Sequence, residues 1–182
     1  FVNDLWLPQT VNSIEPSASW VAVIVANTFA LLLFGLQHSI MARPYFKSFM
    51  TRFIDPSIER STYVLATAVA IAGMCYLWIP FGSVIWQVES EMGVYVIRGI
   101  AVFGWLFLFL ATFMLNHFEL LGLRQTFDPL QGKAAPVAAF KTTGFYKIVR
   151  HPIQTGILIG VWAIPVSTAS HVVFAAGISA YI

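Results

Sequence analysis

The sequence predicts an all-α integral membrane protein, a polytopic bundle of about five transmembrane helices. Of its 182 residues, 58% are hydrophobic and 10% are charged, whereas about a quarter of the residues in soluble domains are charged. The mean hydropathy is +0.78, and four regions contain enough apolar residues to cross a bilayer, which takes roughly 20 per helix. A soluble domain of this length has no interior that would hide so much apolar surface.

Four apolar regions account for the predicted helices. The second region carries Pro80-Phe81-Gly82 at its exit, so residues 83–88 are expected to be an interfacial tail. The fourth region is long enough for two segments and is expected to be a hairpin of two helices, broken near residues 165–170. The four predicted regions are residues 20–37, 61–88, 99–116 and 153–182.

Basic residues orient these helices, because Lys and Arg in short loops stay on the cytoplasmic side of a membrane. The segment before Trp20, the loop 80–96 and the turn 165–170 contain no Lys or Arg. We therefore expect those three to face outward and the loops 38–60 and 117–152 to be cytoplasmic. The basic residues of the two cytoplasmic loops are Arg43, Lys47, Arg52, Arg60, Arg124, Lys133, Lys141, Lys147 and Arg150.

The net charge, the single cysteine and the absence of a linker exclude several other kinds of protein. The net charge of +2 comes from basic loops between apolar helices, so it does not indicate nucleic acid binding. The lone Cys75 excludes an intrachain disulfide and an all-cysteine metal site. No linker divides the chain, so residues 1–182 are expected to form one domain. Phe1 and the apolar run up to Ile182 indicate the interior of a longer protein, one that has an upstream span.

Polar side chains at the cytoplasmic ends of the spans are the first candidates for a site, because ionisable groups are costly in lipid and usually mark a function. His38 and Arg43 follow the first span, where a polar helix end with a snorkelling Arg is the alternative. After the third span, helical spacing places His117 and Arg124 on one stripe, with a capped helix end as the alternative. Glu119 lies between them and needs a cationic partner, either an Arg or the amine of a ligand.

The stretch GFYKIVRHPIQTG, residues 144–156, leads directly into the last apolar region. Pro152 suits the first turn of a helix, so Arg150 and His151 are expected just outside a helix N-terminus. Free N–H groups and the helix dipole favour an anion there, such as the carboxylate of an amino-acid-like ligand. Gly156 permits the close approach of a ligand or of a neighbouring helix. A basic juxtamembrane loop is the alternative for Arg-His-Pro alone.

This stretch resembles the isoprenylcysteine carboxyl methyltransferase-like superfamily of membrane methyltransferases, whose hallmark is G-x-Y-x-x-V-R-H-P-x-Y-x-G. Within it the chain looks most like the bacterial methanethiol S-methyltransferases, through LQHSIMARPYFK, IERSTYVL, NHFELLGLRQ and VWAIPVSTASHVVFA. Gln154 replaces the hallmark's second Tyr, and the family's C-terminal Glu-Glu-x-x-Leu segment would lie beyond Ile182. The matching residues are Gly144, Tyr146, Val149, Arg150, His151, Pro152 and Gly156.

The resemblance implies transfer of a methyl group from S-adenosylmethionine to methanethiol, giving dimethyl sulfide, in a bacterial inner membrane. No metal is implied, and His171, in the outward turn, is expected to be an interfacial helix cap outside the site. His117 or His38 is expected to deprotonate the thiol. The implied catalytic residues are His117, Arg124, His38 and Arg43. The implied cofactor-binding residues are Tyr146, Val149, Arg150, His151, Pro152, Gly156 and Glu119.

Other functions remain open on the sequence alone. An enzyme with the same cofactor would transfer the methyl group to a prenylcysteine carboxylate or a phospholipid amine if a lipid-facing groove admits a long chain. A non-enzymatic haem or metal protein, resembling denitrification-associated relatives, would use His38, His117 and His151. A transporter ranks last, because the charged groups cluster at one face and not at the midplane. The sequence does not indicate an oligomeric state.

Overall fold

The computed structural model describes residues 1–4, 10–13, 19–134 and 144–182. It confirms the predicted all-α class, because helices make up most of the described residues. Lys141 lies outside the described residues. The helices described are α1 (Trp20–Met41), α2 (Pro44–Met50), α3 (Pro56–Leu77), α4 (Glu91–Met114), α5 (His117–Leu120), α6 (Leu123–Leu130), α7 (Pro152–Trp162) and α8 (Ala169–Tyr181). The other elements are β1 (Val84–Gln87), a 3₁₀ turn (Gly144–Lys147) and β2 (Val166–Thr168).

Three of the described helices, α1, α3 and α4, are long and apolar enough to cross a membrane. They have 22, 22 and 24 residues, which at about 1.5 Å per residue gives roughly 33–36 Å against a hydrocarbon core of about 30 Å. Each begins at a residue whose side chain accepts a first-turn N–H, namely Ser19, Asp55 and Ser90. Their outer faces carry exposed Leu, Val and Phe, as lipid-facing surfaces do.

The predicted count of about five spans is not confirmed. The fourth apolar region does form two helices, but α7 and α8 have only 11 and 13 residues, or roughly 17 and 20 Å. Residues 163–168 between them are not helical. The described part of the chain therefore has three helices of membrane-spanning length, and the shorter α7 and α8 form a hairpin.

The largest differences from the predicted boundaries are at the end of α3 and the start of α4. Helix α3 ends at Leu77, and part of the expected interfacial tail is strand β1, which pairs antiparallel with β2. The sequence Val-Ile-Trp-Gln of β1 is β-branched and aromatic, a composition that suits a strand. Helix α4 begins at Glu91, eight residues before the predicted start, and so includes the exposed Arg98. Arg98 is thus a basic residue near the end predicted to face outward, where its long stem permits snorkelling.

Buried polar side chains satisfy the non-helical backbone beside β1 and β2. Asn27 of α1 donates to the carbonyl of Ile79 at 2.9 Å and accepts its N–H at 2.8 Å. Trp86 donates to the carbonyl of Ile164 at 3.1 Å. In lipid every backbone polar group needs such a partner, so these contacts allow irregular chain inside an apolar bundle.

His171, which is expected to be an interfacial helix cap outside the site, lies in the first turn of α8 and is shielded inside the protein. It is fully buried in α8, with Nε2 2.9 Å from the carbonyl of Val161 and Nδ1 2.8 Å from the hydroxyl of Ser167. Because a carbonyl only accepts, Nε2 carries the proton and Nδ1 accepts from Ser167. His171 therefore joins α8 to the last turn of α7, and its role is structural.

The N-terminal segment covers the same end of the bundle. Asn3 donates to the carbonyls of Gly160 and Ala163 and accepts the indole N–H of Trp105. Asn12 accepts both the backbone N–H and the hydroxyl of Thr168. The segment thus contributes to the packing of α4, α7 and β2.

Glycines bring α4 and α7 into backbone contact. A Cβ on Gly156 would lie 2.7 Å from the carbonyl oxygen of Gly104 and 2.7 Å from Leu108, and a Cβ on Gly160 would lie 2.6 Å from the ring of Trp105. Gly156 and Gly160 form a small-xxx-small pair, the spacing that permits close helix packing in membranes. Of the two predicted roles of Gly156, the structure shows the helix contact.

Replacing Asn27 by Leu is expected to destabilise the protein by about 2–5 kcal/mol, because the N–H and C=O of Ile79 both lose their partner. The measurement is the thermal stability of the detergent-solubilised protein. Thr28→Leu is the matched control, since Thr28 is the next residue of α1 and is exposed. Equal stability of the two variants would contradict the role given to Asn27.

Candidate active site

The predicted site segments meet at one end of the bundle, here called the basic end. There α1, α4 and α8 finish, and α3 and α7 begin. The basic loops adjoin this end, so it is the end predicted to be cytoplasmic. Three interactions tie the segments together: Ser39 to Tyr181 at 2.9 Å, Arg60 to the carbonyl of Glu119 at 3.1 Å, and Gln154 to the carbonyl of Ile182 at 3.5 Å.

His38 faces α3 and belongs to a polar cluster. The hydroxyl of Tyr63 lies 2.9 Å from its Nδ1 and 3.1 Å from its Nε2, and the hydroxyl of Thr67 lies 3.3 Å from Nδ1. Gln37 donates to Met41 and lies 3.5 Å from Thr67. Within the described part of the chain, Oε1 of Gln37 is buried without a hydrogen-bond partner. This side of α1 therefore carries hydrogen-bonding groups at the end of an apolar helix.

The other side of the His38 ring meets aromatic side chains. Phe34 stacks on it with ring centroids 5.5 Å apart, and the ring of Tyr181 lies edge-on at 6.1 Å. A cavity of about 300 Å³ lies between α1 and α8 and includes Phe34, Tyr181 and Ser39 in its lining. The imidazole is thus close to both a polar cluster and an apolar cavity.

His117 and Arg124 do not share one continuous helix, so the predicted stripe is wrong. Asn116 and Gly122 both have left-handed backbones, with φ of 68° and 81°, and they divide the segment into α5 and α6. The ring of His117 stacks on Phe113 at 4.5 Å. The α4 segment thus ends in a turn, and His117 folds back along the helix.

A hydroxyl of α4 also holds His117. Nδ1 of His117 lies 2.8 Å from the hydroxyl of Thr112. That hydroxyl also donates to the carbonyl of Phe109 at 2.6 Å. His117 and His38 therefore share one arrangement, an imidazole fixed by a hydroxyl and an aromatic ring.

Glu119 has the cationic neighbour that its position requires. Nη1 of Arg124 lies 4.0 Å from its carboxylate, and the side chain of Asn116 donates to the same oxygen at 3.0 Å. Arg124 makes its shorter contact, 3.1 Å, with Asp128. The Glu119 carboxylate is 18% exposed and is held mainly by an amide.

The turn between α5 and α6 packs on the start of α3. A Cβ on Gly122 would lie 2.6 Å from the backbone nitrogen of Ser61, and Arg60 donates to the carbonyls of Glu119 and Leu120. Gly is required at this position both by the positive φ and by the close contact. This packing fixes the position of Glu119 at the basic end.

Helix α7 begins at Pro152, as the sequence predicts. His151 occupies the cap position without a side-chain capping bond, and both Arg150 and His151 are exposed. The backbone N–H of Val149 donates to the carbonyl of Phe145 at 2.9 Å, which closes the preceding turn. Partial burial raises the pKa of the Tyr146 phenol, so this side chain is neutral at physiological pH.

The 3₁₀ turn that opens the motif docks on the end of α4. Gly144 has φ of +54°, and its Cβ would lie 2.5 Å from the sulfur of Met114. The ring of Phe145 stacks on Phe107 at 4.2 Å. Gly144 therefore allows the motif to contact α4, the helix that also carries Thr112.

Curated relatives match the whole chain. It is 42% identical over 182 residues to methanethiol S-methyltransferase 1 of Bradyrhizobium diazoefficiens, and it covers 64% of that protein. It is 40% identical over 181 residues to the methanethiol S-methyltransferase of Pseudomonas deceptionensis, covering 69%. It is 42% identical over 182 residues to that of Mycobacterium tuberculosis, covering 74%. The chain belongs to the methanethiol S-methyltransferase family.

Two further comparisons found no match. No protein-family model matches the chain. No solved structure matches it either. The place of the chain among the methanethiol S-methyltransferases therefore depends on the curated relatives.

The structure joins only some of the predicted site residues of this methyltransferase family member. Glu119 and Arg124 are in contact with each other. His38 is linked through the end of α8 to Gln154, which was not predicted as a site residue but lies within the motif. In the described ranges, no hydrogen bond or ion pair connects His117 to Arg150 or His151. Also within those ranges, no three His, Cys, Asp or Glu residues lie close enough to hold a metal ion, so the histidines named above form no such group.

Sequence reasoning missed three polar contacts of the candidate site. Tyr63, Thr112 and Tyr181 each contact a histidine or a cavity, although each lies in an apolar helix. The stretch IERSTYVL contains Tyr63 and was singled out only for its resemblance to the family. The signal for Tyr63 was its place about two turns inside α3, facing the helix that carries His38.

Proposed function

We propose that the protein transfers a methyl group from S-adenosylmethionine to methanethiol and releases dimethyl sulfide at the basic end of the bundle. The match to methanethiol S-methyltransferases along the whole chain supports this function. The chain spans 64% of the first of these relatives, so the activity is proposed for the whole protein.

The residues at the start of α7 fit the cofactor. Bound S-adenosylmethionine supplies an electrophilic methyl group on a sulfonium, together with a carboxylate and an amine. Arg150 is exposed and has no ion-pair partner in the described part of the chain, and α7 begins without a side-chain cap. The guanidinium and the free first-turn N–H groups are therefore available for the carboxylate.

The other cofactor contacts follow from the same assignment. Tyr146 lies near the adenine or the sulfonium, where an aromatic face attracts positive charge. Val149 and His151 complete the turn before the helix. Pro152 and Gly156 act indirectly, by starting α7 and seating it on α4. Glu119 pairs with the cofactor amine, for which its partly exposed carboxylate is suited.

The thiol has to lose a proton before it attacks. A thiol with a pKa of about 8.5 or higher is mostly protonated at neutral pH, so it needs a base. His38 and His117 are the candidate bases, and Arg43 and Arg124 orient the anion. The thiolate and the sulfonium become two neutral products, so an apolar surrounding favours the transition state over the charged reactants.

The proposed location is a bacterial inner membrane, with the basic end on the cytoplasmic side. The basic loops support this orientation, and Arg98 at the opposite end is the exception among the Lys and Arg residues. The charged cofactor would then enter from the cytoplasm. Dimethyl sulfide, being small and neutral, would leave through the bilayer.

The test is headspace gas analysis of purified membranes that contain the whole protein, supplied with methanethiol and S-adenosylmethionine. Dimethyl sulfide is expected from these membranes and not from membranes of the host without the gene. Calorimetry on the same preparation measures S-adenosylmethionine binding independently. Cofactor binding without dimethyl sulfide would reject methanethiol as the acceptor, and neither signal would reject the proposal entirely.

A further inference from the structure

The cavity between α1 and α8 lies next to His38, which stands behind two of the cavity's lining residues and not in the lining itself. Phe34 and Tyr181 line the cavity, and both of their rings contact the His38 ring. On the other side of that ring stand the hydroxyls of Tyr63 and Thr67. An imidazole between an apolar space and a hydrogen-bonding cluster is placed to exchange a proton with a small apolar acid.

We propose that the small thiol binds in the α1–α8 cavity with its S–H group directed between the rings of Phe34 and Tyr181 towards His38, and that Tyr63 positions His38 as the proton acceptor. This inference rests on the proposed function and selects His38 over His117 as the base. It also defines the substrate class, because an apolar cavity of about 300 Å³ has room for alkyl thiols larger than methanethiol.

The cavity is suited to a neutral thiol in its chemistry as well as its size. Its lining includes Leu31, Leu32 and Ile178, and the polar groups among its lining residues are the hydroxyls of Ser39 and Tyr181, which bond to each other at 2.9 Å. It therefore holds no charged lining residue that would need a counter-ion. A thiol dissolved in the bilayer can enter such a space without losing hydrogen bonds.

The cofactor motif reaches the same place. Gln154 lies in the first turns of α7 and donates to the carbonyl of Ile182 at 3.5 Å. Ile182 follows Tyr181, whose ring lines the cavity and contacts His38. The motif is thus joined through the end of α8 to the wall of the cavity. It also contacts Met114, the neighbour of Phe113, so it reaches the end of α4 beside His117 as well, and the cavity is what favours His38.

The proton step balances as follows. The S–H bond breaks as the proton passes to His38, and the electron pair left on sulfur forms the new bond to the methyl carbon. The bond between that carbon and the sulfonium sulfur breaks, and its electron pair stays on the departing sulfur. His38 then releases the proton to water at the basic end. The hydroxyl of Tyr63 accepts the N–H of the His38 ring in both the neutral and the protonated state, which leaves the other ring nitrogen free to take the thiol proton.

The first test replaces Tyr63 by Phe. We expect kcat to fall about 10- to 100-fold with the KM for S-adenosylmethionine unchanged, and the acidic limb of the kcat–pH profile to move by about 0.5–1 pH unit, the effect of one hydrogen bond. His38→Ala should lower kcat about 100- to 10,000-fold. The other titratable group facing His38 is Tyr181, and the nearest charges to Tyr63 are Glu59 and Arg60.

Tyr76→Phe is the matched control, because Tyr76 lies on the same helix at the opposite end and is 83% exposed. It should keep kcat and the pH profile of the parent. A merely structural role of Tyr63 would lower the yield of folded protein and leave the profile of the remaining enzyme in place. That result, or a Tyr63→Phe variant with parental kcat, would overturn the proposal while the parent still makes dimethyl sulfide.

The second test reduces the cavity with Gly35→Leu. A Cβ on Gly35 would lie 3.5 Å from Tyr181, an ordinary contact, so the added side chain fills the cavity without distorting α1. In the parent, KM should fall about fourfold for each methylene from methanethiol to propanethiol, the value of a buried CH₂. In Gly35→Leu the KM should no longer fall with the length of the thiol. Gly99→Leu, on an open face of α4, should keep the parental fall in KM. A parental trend in Gly35→Leu would remove the thiol from this cavity.

Discussion

Replacing Arg150 by Ala is expected to raise the KM for S-adenosylmethionine about 10- to 100-fold, the loss that corresponds to one hydrogen-bonded charge pair. The physical reason is that the guanidinium stands exposed beside the uncapped start of α7, where no described acidic residue competes for it. The KM for methanethiol should change little, because the cofactor carboxylate is remote from the reacting sulfur. Initial rates of dimethyl sulfide formation at varied cofactor concentration measure both constants.

Arg52→Ala is the matched control for Arg150. Arg52 is an exposed Arg in the loop between α2 and α3 at the same end of the bundle, so its removal takes away the same charge from the same face. Arg150→Lys should recover part of the affinity, since Lys keeps the charge and loses the planar fork. If Arg52→Ala raised the KM as much as Arg150→Ala, the effect would be general electrostatic attraction and not binding at the motif.

The long helices were predictable because a run of about 20 apolar residues is itself the sequence signal of a membrane-spanning helix. Helices α1, α3 and α4 contain most of their predicted regions, and α7 starts at Pro152 as the proline rule indicates. Strand β1 was not predictable from local sequence. Its apolar residues look the same whether they continue a helix or pair with β2, and only the tertiary contact with Val166–Thr168 decides between the two.

The candidate site was predictable in its residue types and less so in its contacts. His38 was chosen because it ends a span, but its partner Tyr63 lies 25 residues away and is placed by the antiparallel packing of α1 on α3. The stripe of His117 and Arg124 failed because Gly122, which lies between them, adopts a left-handed conformation with φ of 81° and separates α5 from α6. Helical periodicity does not show whether a glycine continues a helix or ends it.

Gly156 shows why a motif glycine has more than one interpretation. The sequence identified it as a point of close approach, which holds equally for a ligand and for a helix. The structure shows close approach of a helix, because the carbonyl oxygen of Gly104 in α4 lies 2.7 Å from the position that a Cβ on Gly156 would occupy. Gly156 therefore affects cofactor binding only by fixing the position of α7. We expect substitution of Gly156 to lower the stability of the protein first and its affinity for S-adenosylmethionine as a consequence.

Replacing Gly156 by Leu is expected to destabilise the bundle by about 3 kcal/mol or more, because overpacking against backbone is not relieved by side-chain rotation. The new Cβ would lie 2.7 Å from both the Gly104 carbonyl and Leu108, so α7 has to separate from α4. We expect Tm in detergent to fall by about 10 °C, a shift that a loss of about 3 kcal/mol produces in a chain of this size. Gly156→Ala should cause a smaller fall, since the clash begins at Cβ and grows with the longer side chain.

Gly99→Leu is the control for Gly156→Leu, because it adds the same side chain to a long apolar helix without a clash. A Cβ on Gly99 meets nothing within 4 Å, so this variant should keep the parental Tm. Because α7 carries the cofactor motif at its start, the fraction of Gly156→Leu that remains folded should bind S-adenosylmethionine more weakly than the parent. A Gly156→Leu protein with parental Tm and weak cofactor binding would place the glycine against the ligand after all, and the contact between α4 and α7 would then not be the reason for glycine at this position.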